Sequence, residues 1–213
     1  YATRTLIIEM EDNSVINADV GKISKQVNTI IGAQEMKDCS GINRFLRENE
    51  AFASFELNAS KSRCILSLPS SFLFLSGGAS ISKEVVVQLS SFLNEIRNRY
   101  ELDGDAIRVD GHTDDVPLSK NGRYKNNWEL STVRATNVAA LMMEKVGFNP
   151  ERIAISGYAD TRPKTSYVSE NGNRKSGREL QKARKANRRV ELIFTRPTKK
   201  ERTRKFFPEP NAG

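Results

Sequence analysis

Asp110-Gly111-His112-Thr113-Asp114-Asp115-Val116-Pro117, followed by Asn127-Trp128-Glu129-Leu130-Ser131-Thr132-Val133-Arg134-Ala135, is the stretch whose reading decides the fold. Ile107 and Val109 alternate with Arg108 and Asp110, the period of a strand, and Gly111 is expected to mark its break. Beyond it, Leu130, Val133, Val138, Leu141, Met142 and Val146 recur at three- and four-residue steps. That spacing predicts a helix from Trp128 to Val146 with one apolar face. Asn127 or Ser131 is expected to cap it, because a short polar side chain can accept from a free N–H of the first turn. Trp128 and Leu130 are expected to plug the core beneath. Asp110 and Asp160 are read as structural aspartates that satisfy turn amides. A strand–loop–helix unit then brings Asp114, just past the strand end, and Arg134, in the first turns of the helix, to one rim. An acid and a base there suit a ligand carrying both charges. The bland alternative is that Asp114 and Arg134 form an internal salt bridge, or cap and solvate a helix end.

Outward from this unit, Cys64 to Leu68 reads as a strand, with Phe72, Phe74 and a Ser76-Gly77-Gly78 turn after it. Val85, Val86, Leu89, Phe92, Leu93 and Ile96 make a helical stripe that Ser82 caps and that ends near Tyr100. Asp103-Gly104-Asp105 breaks to the Ile107 strand, and Gly147 stops the second helix. Ile153 to Gly157 is another strand, Lys164 to Arg178 a polar surface loop, Glu179 to Ala186 a short helix. Val190, Leu192 and Phe194 alternate in a last strand. Strands interleaved with helices predict an α/β (α+β) sandwich, a mixed sheet with helices on one face. Ahead of it, Leu6-Ile7-Ile8 reads as a strand, Val20 to Ile31 as an amphipathic helix, and Ile42 to Phe55 as the site of a second. The division expected is 1–60 a leading extension with helical character, 61–196 the main domain, and 197–213 a basic, flexible tail.

The 213 residues carry a formal net charge of +8, but the excess is local. Residues 174–205 hold 14 Lys/Arg against 3 Asp/Glu, whereas residues 1–173 hold 20 against 22. Single-strand nucleic-acid binders interleave such charge with aromatic platforms. Here only Phe194, Phe206 and Phe207 lie near, so no nucleic-acid partner is expected, and a solvated tail or attraction to an anionic envelope polymer is the better reading. Two cysteines, Cys39 and Cys64, are too few for a disulfide framework. They form either one bridge or two unrelated buried thiols, and the spacing leaves that open. No apolar run approaches the ~18 residues of a membrane span. The chain begins at Tyr1 without a signal peptide and reads as a piece of a longer protein. Catalysis is not expected. His112, Asp114 and Asp115 lie close together, but His112 is the only histidine and no zinc spacing surrounds it. Neither cysteine has a nucleophile signature, and Ser76-Gly77-Gly78 lacks the ending of a phosphate loop. No cofactor or metal is expected.

Gly111-His112-Thr113-Asp114, Asn127 to Ala135, Gly157-Tyr158-Ala159-Asp160-Thr161-Arg162-Pro163 and Asn187-Arg188-Arg189-Val190-Glu191-Leu192 resemble, in order, the four motifs of the OmpA/MotB peptidoglycan-binding domain family. The resemblance covers roughly residues 65 to 196. Trp128, Asp115-Val116-Pro117 and the Phe74 to Ala79 stretch are similar to the MotB branch, the flagellar stator subunits, rather than to OmpA or Pal. Lys164 to Arg178 is longer than the corresponding connection there. The resemblance implies an OmpA-like fold that binds wall peptides, Asp114 accepting the ammonium of diaminopimelate and Arg134 forking onto its carboxylate. Thr113, Asn127 and Arg188 would add polar contacts. It further implies a periplasmic location behind a single inner-membrane helix, a MotA-like channel subunit as partner, a homodimer, and an oxidising compartment that favours a Cys39–Cys64 bridge. An outer-membrane tether of the Pal or OmpA kind, or the wall anchor of another ion-driven machine, are the alternatives.

Overall fold

The computed structural model describes residues 39–59, 63–75, 77–100 and 106–195. The expected Leu6 strand, the Val20 helix, the Asp103 break and the basic tail lie outside the described residues. Helix α1 (Cys39–Glu48) leads through a 3-10 turn (Glu50–Phe52) into β1 (Glu56–Ala59) and β2 (Arg63–Pro69). Then come α2 (Ser70–Leu73), α3 (Lys83–Tyr100), β3 (Ala106–His112) and α4 (Asn127–Leu141), which runs on as a π turn (Met142–Val146). After a 3-10 turn (Pro150–Arg152), β4 (Ile153–Gly157), α5 (Gly177–Asn187) and β5 (Arg189–Thr195) complete the fold.

The five strands form one mixed sheet in the order β1-β2-β5-β3-β4, parallel only between β3 and β4. The alternation of β5 explains its central place: Val190, Leu192 and Phe194 are at most 1% exposed and face the helices. They meet Leu66 and Leu68 of β2, Ile107 and Val109 of β3, the Leu89, Phe92, Leu93 and Ile96 stripe of α3, and Ala135, Val138 and Ala139 of α4 in one core. Helices on one face of a mixed sheet are thus what the pattern predicted. The caps are local chemistry. Ser82 Oγ accepts from Val85 N at 3.3 Å, and Gly147 ends the α4 extension at φ 79°, a left-handed conformation that costs glycine little.

Three local expectations are corrected. Gly111 does not break β3, which continues to His112. A Cβ on Gly111 would lie 2.0 Å from the Ser131 carbonyl oxygen, so the missing side chain serves the close approach of α4 to the sheet. The cap of α4 is Asn126, not Asn127 or Ser131: its Oδ1 accepts from Glu129 N at 3.0 Å. Glu129 Oε2 in turn accepts from the N–H of Lys125, the residue before the cap, at 2.6 Å, a variant of the capping box in which the return bond falls one residue ahead of the N-cap. Trp128 does not plug the core; it is 52% exposed, while Leu130 is buried. Successive residues turn by about 100°, so positions two apart face opposite sides of a helix.

Residues 39–59 add an edge strand and a helix to this same sheet and core. Ile42 and Leu46, one turn apart on α1, are buried. Phe52 and Phe55 pack against Phe92 at centroid distances of 4.7 and 5.3 Å, and Phe55 against Phe72 at 4.8 Å. A Cys39–Cys64 disulfide ties α1 to β2, with Cα atoms 5.8 Å apart across a sequence separation of 25. Closing a loop of this length removes denatured-state entropy worth about 3.5 kcal/mol in the chain-entropy model. Urea titrations with and without reductant are therefore expected to differ by roughly that amount. Coincident curves would show that α1 docks without help from the bridge.

Candidate functional site

The end of β3, the loop after it and the first turns of α4 build the rim on which the sequence placed Asp114 and Arg134. Thr113 N donates to Ala159 O at 2.8 Å and Tyr158 N to Gly111 O at 2.9 Å, so the ends of β3 and β4 hold each other. Ser131, fully buried on α4, locks this junction: its Oγ donates to Trp128 O at 3.0 Å and accepts from Ala159 N at 3.1 Å. Ala159 is thereby held at φ 48°, a conformation that an alanine adopts only when its surroundings enforce it.

Asp114 is buried and ends the strand–loop turn, Oδ1 accepting from Val116 N at 3.1 Å. Its other oxygen pairs with Arg188, not with Arg134, so the internal Asp114–Arg134 bridge is not formed. Arg134 is 4% exposed. Its Nε donates to Gly78 O at 2.9 Å and its guanidinium lies 5.1 Å from the Phe74 ring centroid. Among the described residues it makes no ion pair. Burial, then repulsion from Arg188, lower its pKa to about 10 against the opposing pull of Tyr124 and Asp114, and it remains a cation at neutral pH. Thr113 Oγ1 is buried without a hydrogen-bond partner among the described residues. Asn127 Nδ2 donates to the carbonyls of Asp114 (3.2 Å) and Val116 (3.0 Å), fastening the loop to α4. The fold therefore brings Thr113, Asp114, Asn127, Arg134 and Arg188 to one end of the sheet. Asn127 and Arg188 already hold Asp114 and its loop in place.

On the sheet face away from the core, β3 and β5 set Asp110 opposite Glu191 and His112 opposite Arg189. Asp110 is a strand residue whose carboxylate accepts from Arg108 Nε at 2.9 Å; among the described residues it satisfies no turn amide. Arg189 Nε donates to Glu191 at 2.7 Å, and His112 Nε2 lies 3.6 Å from the same carboxylate. The His112 ring stacks on Tyr158 at 5.5 Å, over which Arg162 lies at 3.7 Å. Donor atoms of Asp110, His112 and Glu191 approach within 4.8 Å of one another. Arg108 and Arg189 already balance the two carboxylates, however, and a divalent ion would add uncompensated charge.

Burial pushes the Glu191 carboxyl up, but His112 and Arg189 beside it outweigh burial and bring it down to about 2 from an ordinary 4.5. A depressed carboxyl stabilises the fold above its unfolded-state value and loses that contribution as pH falls toward the folded one. Between pH 4.5 and pH 2 the wild type is expected to lose about 2 kcal/mol more than Glu191→Gln, after allowance for solvent screening. Parallel urea midpoints for the two proteins across that window would refute the assignment.

The long 164–178 connection does not simply bulge from the surface. Asn187, fully buried, pins it by a reciprocal pair with Thr165: Oδ1 accepts at 2.8 Å and Nδ2 donates at 2.9 Å. Arg174 from the loop and Arg184 from α5 both pair with Asp115. Hydrogen bonding from Arg184 leads the causes that hold the Asp115 carboxyl below its usual range. Sequence reasoning left Asp115 unassigned and passed over Asn187; the only signal was that Asp115 directly follows the first of the four motifs and Asn187 opens the last. Beside Asp115, a groove of about 340 Å³ runs between the 115–118 loop, the start of α4 and Ala159-Asp160, and Trp128 lines it.

Comparison with known proteins places this geometry in context. Residues 73–177 match the model of the OmpA family. The chain is 28% identical over 160 residues to Motility protein B of Bacillus subtilis, covering 73% of this chain and 54% of that one. It spans about half the length of the curated relatives it matches. Among solved structures, the cell wall anchor of the T6SS from Pseudomonas aeruginosa superposes with a TM-score of 0.58 at 26% identity, covering 72% of this chain and 96% of that one. The periplasmic domain of Helicobacter pylori MotB gives 0.54 at 27% identity, covering 68% and 83%.

Proposed function

The chain carries an OmpA family domain, a non-catalytic peptidoglycan binder, and on that premise we propose that it anchors a MotB-like flagellar stator to the cell wall. The observation that carries the site is Arg134. A buried guanidinium without an ion pair is costly, and a carboxylate docking against it recovers that cost. Asp114, one of the opposite charges acting on Arg134, offers a carboxylate to an ammonium. A free diaminopimelate end supplies both groups on one carbon. Its carboxylate takes the Arg134 fork, and its ammonium takes the Asp114 oxygen now shared with Arg188. Thr113 Oγ1, buried and unpartnered, contributes a hydroxyl to the peptide, and Asn127 keeps the loop in shape.

A stator subunit of this kind is a periplasmic domain behind one inner-membrane helix, working as a homodimer with a MotA-like channel subunit so that torque has a fixed reaction point. The likeness to the T6SS wall anchor supports a second reading, the wall anchor of a different envelope-spanning machine. Loss of swimming with intact flagella on deletion of the gene favours the stator; normal motility favours the other machine.

Co-sedimentation with purified diaminopimelate-type sacculi tests the site itself. Asp114→Asn keeps the side-chain shape and removes the charge. Loss of a charge-assisted partner should weaken binding about ten- to hundredfold, leaving a folded variant in the supernatant while wild type pellets. Equal pelleting of the two would discard Asp114 as the ammonium acceptor.

A further inference from the structure

Helix α5 carries three cations on the side that nothing in the fold uses. At about 100° per residue, Arg178, Lys182 and Lys185 fall within roughly 60° of one another, on the side opposite the buried Ala183 and Asn187. All three are exposed, and among the described residues none makes an ion pair. We propose that this stripe docks a linear phosphodiester polyanion of the cell wall, a polyol-phosphate chain, alongside the peptide site. The inference rests on the wall-binding reading and adds a second polymer to it.

The stripe works against its own helix. Arg178 and Lys182 stand four residues apart and Lys182 and Lys185 three apart, so they are neighbours on the helix surface, where like charges destabilise. Arg178 also lies in the first turn, where the positive end of the helix dipole disfavours a cation. Helix stability alone favours acids at such positions. A negatively charged partner relieves the repulsions together. Arg184, on the flank of the same helix, already has its anion in Asp115.

The spacing says what kind of anion fits. Along the axis the cations stand about 6 and about 4.5 Å apart, so the partner must repeat its charge at short intervals. A stem peptide presents its charges at one end, which suits the Asp114–Arg134 rim and not a row. Two of the three cations are lysines, whose compact ammonium suits phosphate as a point charge, whereas planar carboxylates favour the arginine fork. A nucleic acid would need aromatic platforms for its bases, and the neighbour of the stripe on that side is Gln181. A bilayer would need an exposed apolar face, but Leu180 and Ala183 lie on the opposite side of the helix. Location favours the wall as the source. Arg184 and Arg188, on the last turn of α5 and at its end, pair with Asp115 and Asp114, so the stripe leads away from the rim that takes the wall peptide.

The test titrates the full chain by calorimetry, at about 50 mM and about 200 mM salt, with poly(glycerol phosphate), with polygalacturonate as a carboxylate polymer, and with phosphatidylglycerol vesicles. Wild type is compared with Arg178→Gln/Lys182→Gln/Lys185→Gln. The control, Lys83→Gln/Lys120→Gln/Lys145→Gln, removes the same charge from exposed positions elsewhere. Neither triple variant touches the core, and circular dichroism checks both folds. Wild type is expected to prefer poly(glycerol phosphate). The stripe variant is expected to bind it about tenfold more weakly, as for three contacts each the size of a surface ion pair, and with a shallower salt dependence. The control is expected to stay near wild type. Equal losses in the two variants would reduce the effect to net charge and overturn the stripe. So would a wild type that binds polygalacturonate or the vesicles as tightly as poly(glycerol phosphate). Sacculi stripped of anionic polymers, pelleted in parallel, separate this inference from the peptide reading. Wild type that pellets with them but ignores poly(glycerol phosphate) would overturn the stripe and leave the peptide site intact. Stripe-dependent binding of the polymer without pelleting would uphold the stripe and remove the peptide site. Binding of neither would overturn both.

Discussion

Gly111→Ala is expected to cost about 4 kcal/mol or more of folding stability, at the severe end of what overpacking produces. The added Cβ would lie 2.0 Å from the Ser131 carbonyl oxygen, 2.8 Å from its carbon and 3.3 Å from Ala135 Cβ. The two nearest atoms are backbone, so no rotamer change relieves them. Relief requires moving α4 off the sheet, and α4 carries Leu130, Ala135, Val138 and Ala139 into the core. It would also detach Ser131 from Ala159 and shift Arg134 relative to Asp114. Gly172 makes the control: it has φ 82°, and an added Cβ there would meet nothing within 4 Å. Alanine at that position costs only backbone strain, about 1 kcal/mol. Urea denaturation of both variants against wild type measures the contrast, and a Gly111→Ala protein as stable as Gly172→Ala would show that α4 yields easily.

The second large effect is on binding. Arg134→Lys keeps the charge but is expected to lose about ten- to hundredfold in affinity for the diaminopimelate tetrapeptide. An ammonium cannot both donate to Gly78 O, as Nε does at 2.9 Å, and present two parallel N–H bonds to a carboxylate. Burial also disfavours its charged form more readily than that of a guanidinium. Arg134→Met separates binding from stability. Removing a buried cation that lacks an ion pair among the described residues relieves desolvation and the repulsion from Arg188, while Gly78 O loses a donor. Stability is expected to stay within about 1 kcal/mol of wild type, although binding is lost. That opposition marks a residue retained for its ligand. Undiminished affinity of Arg134→Lys by calorimetry would remove the fork from the account; a collapse of Arg134→Met would make Arg134 structural.

Much of the architecture was legible because it is local. The Leu89 to Ile96 stripe, the alternation through Val190, Leu192 and Phe194, the Ser82 cap and the Gly147 stop each express a period or a backbone preference within a few residues. β1 was missed because Glu56 to Ala59 is an edge strand with little burial and therefore no alternation to read. Trp128 was misplaced although the signal was present: a helix that buries Leu130 turns the position two before it outward. The Asn126 cap was equally readable from Glu129 three residues on.

The sequence alone determined the elements, their apolar faces, the four motifs, and thereby the presence of an acid and a base near one rim. Only the tertiary structure decided which charges meet. Asp114 pairs with Arg188 across a separation of 74 residues and Asp115 with Arg184 across 69, while Arg134 is left buried without an ion pair among the described residues. The choice between a Cys39–Cys64 bridge and two thiols was decided the same way. The physical reason is range. Propensity and periodicity act within a turn or a strand, whereas partnerships between distant charges depend on sheet register and on how closely α4 approaches β3.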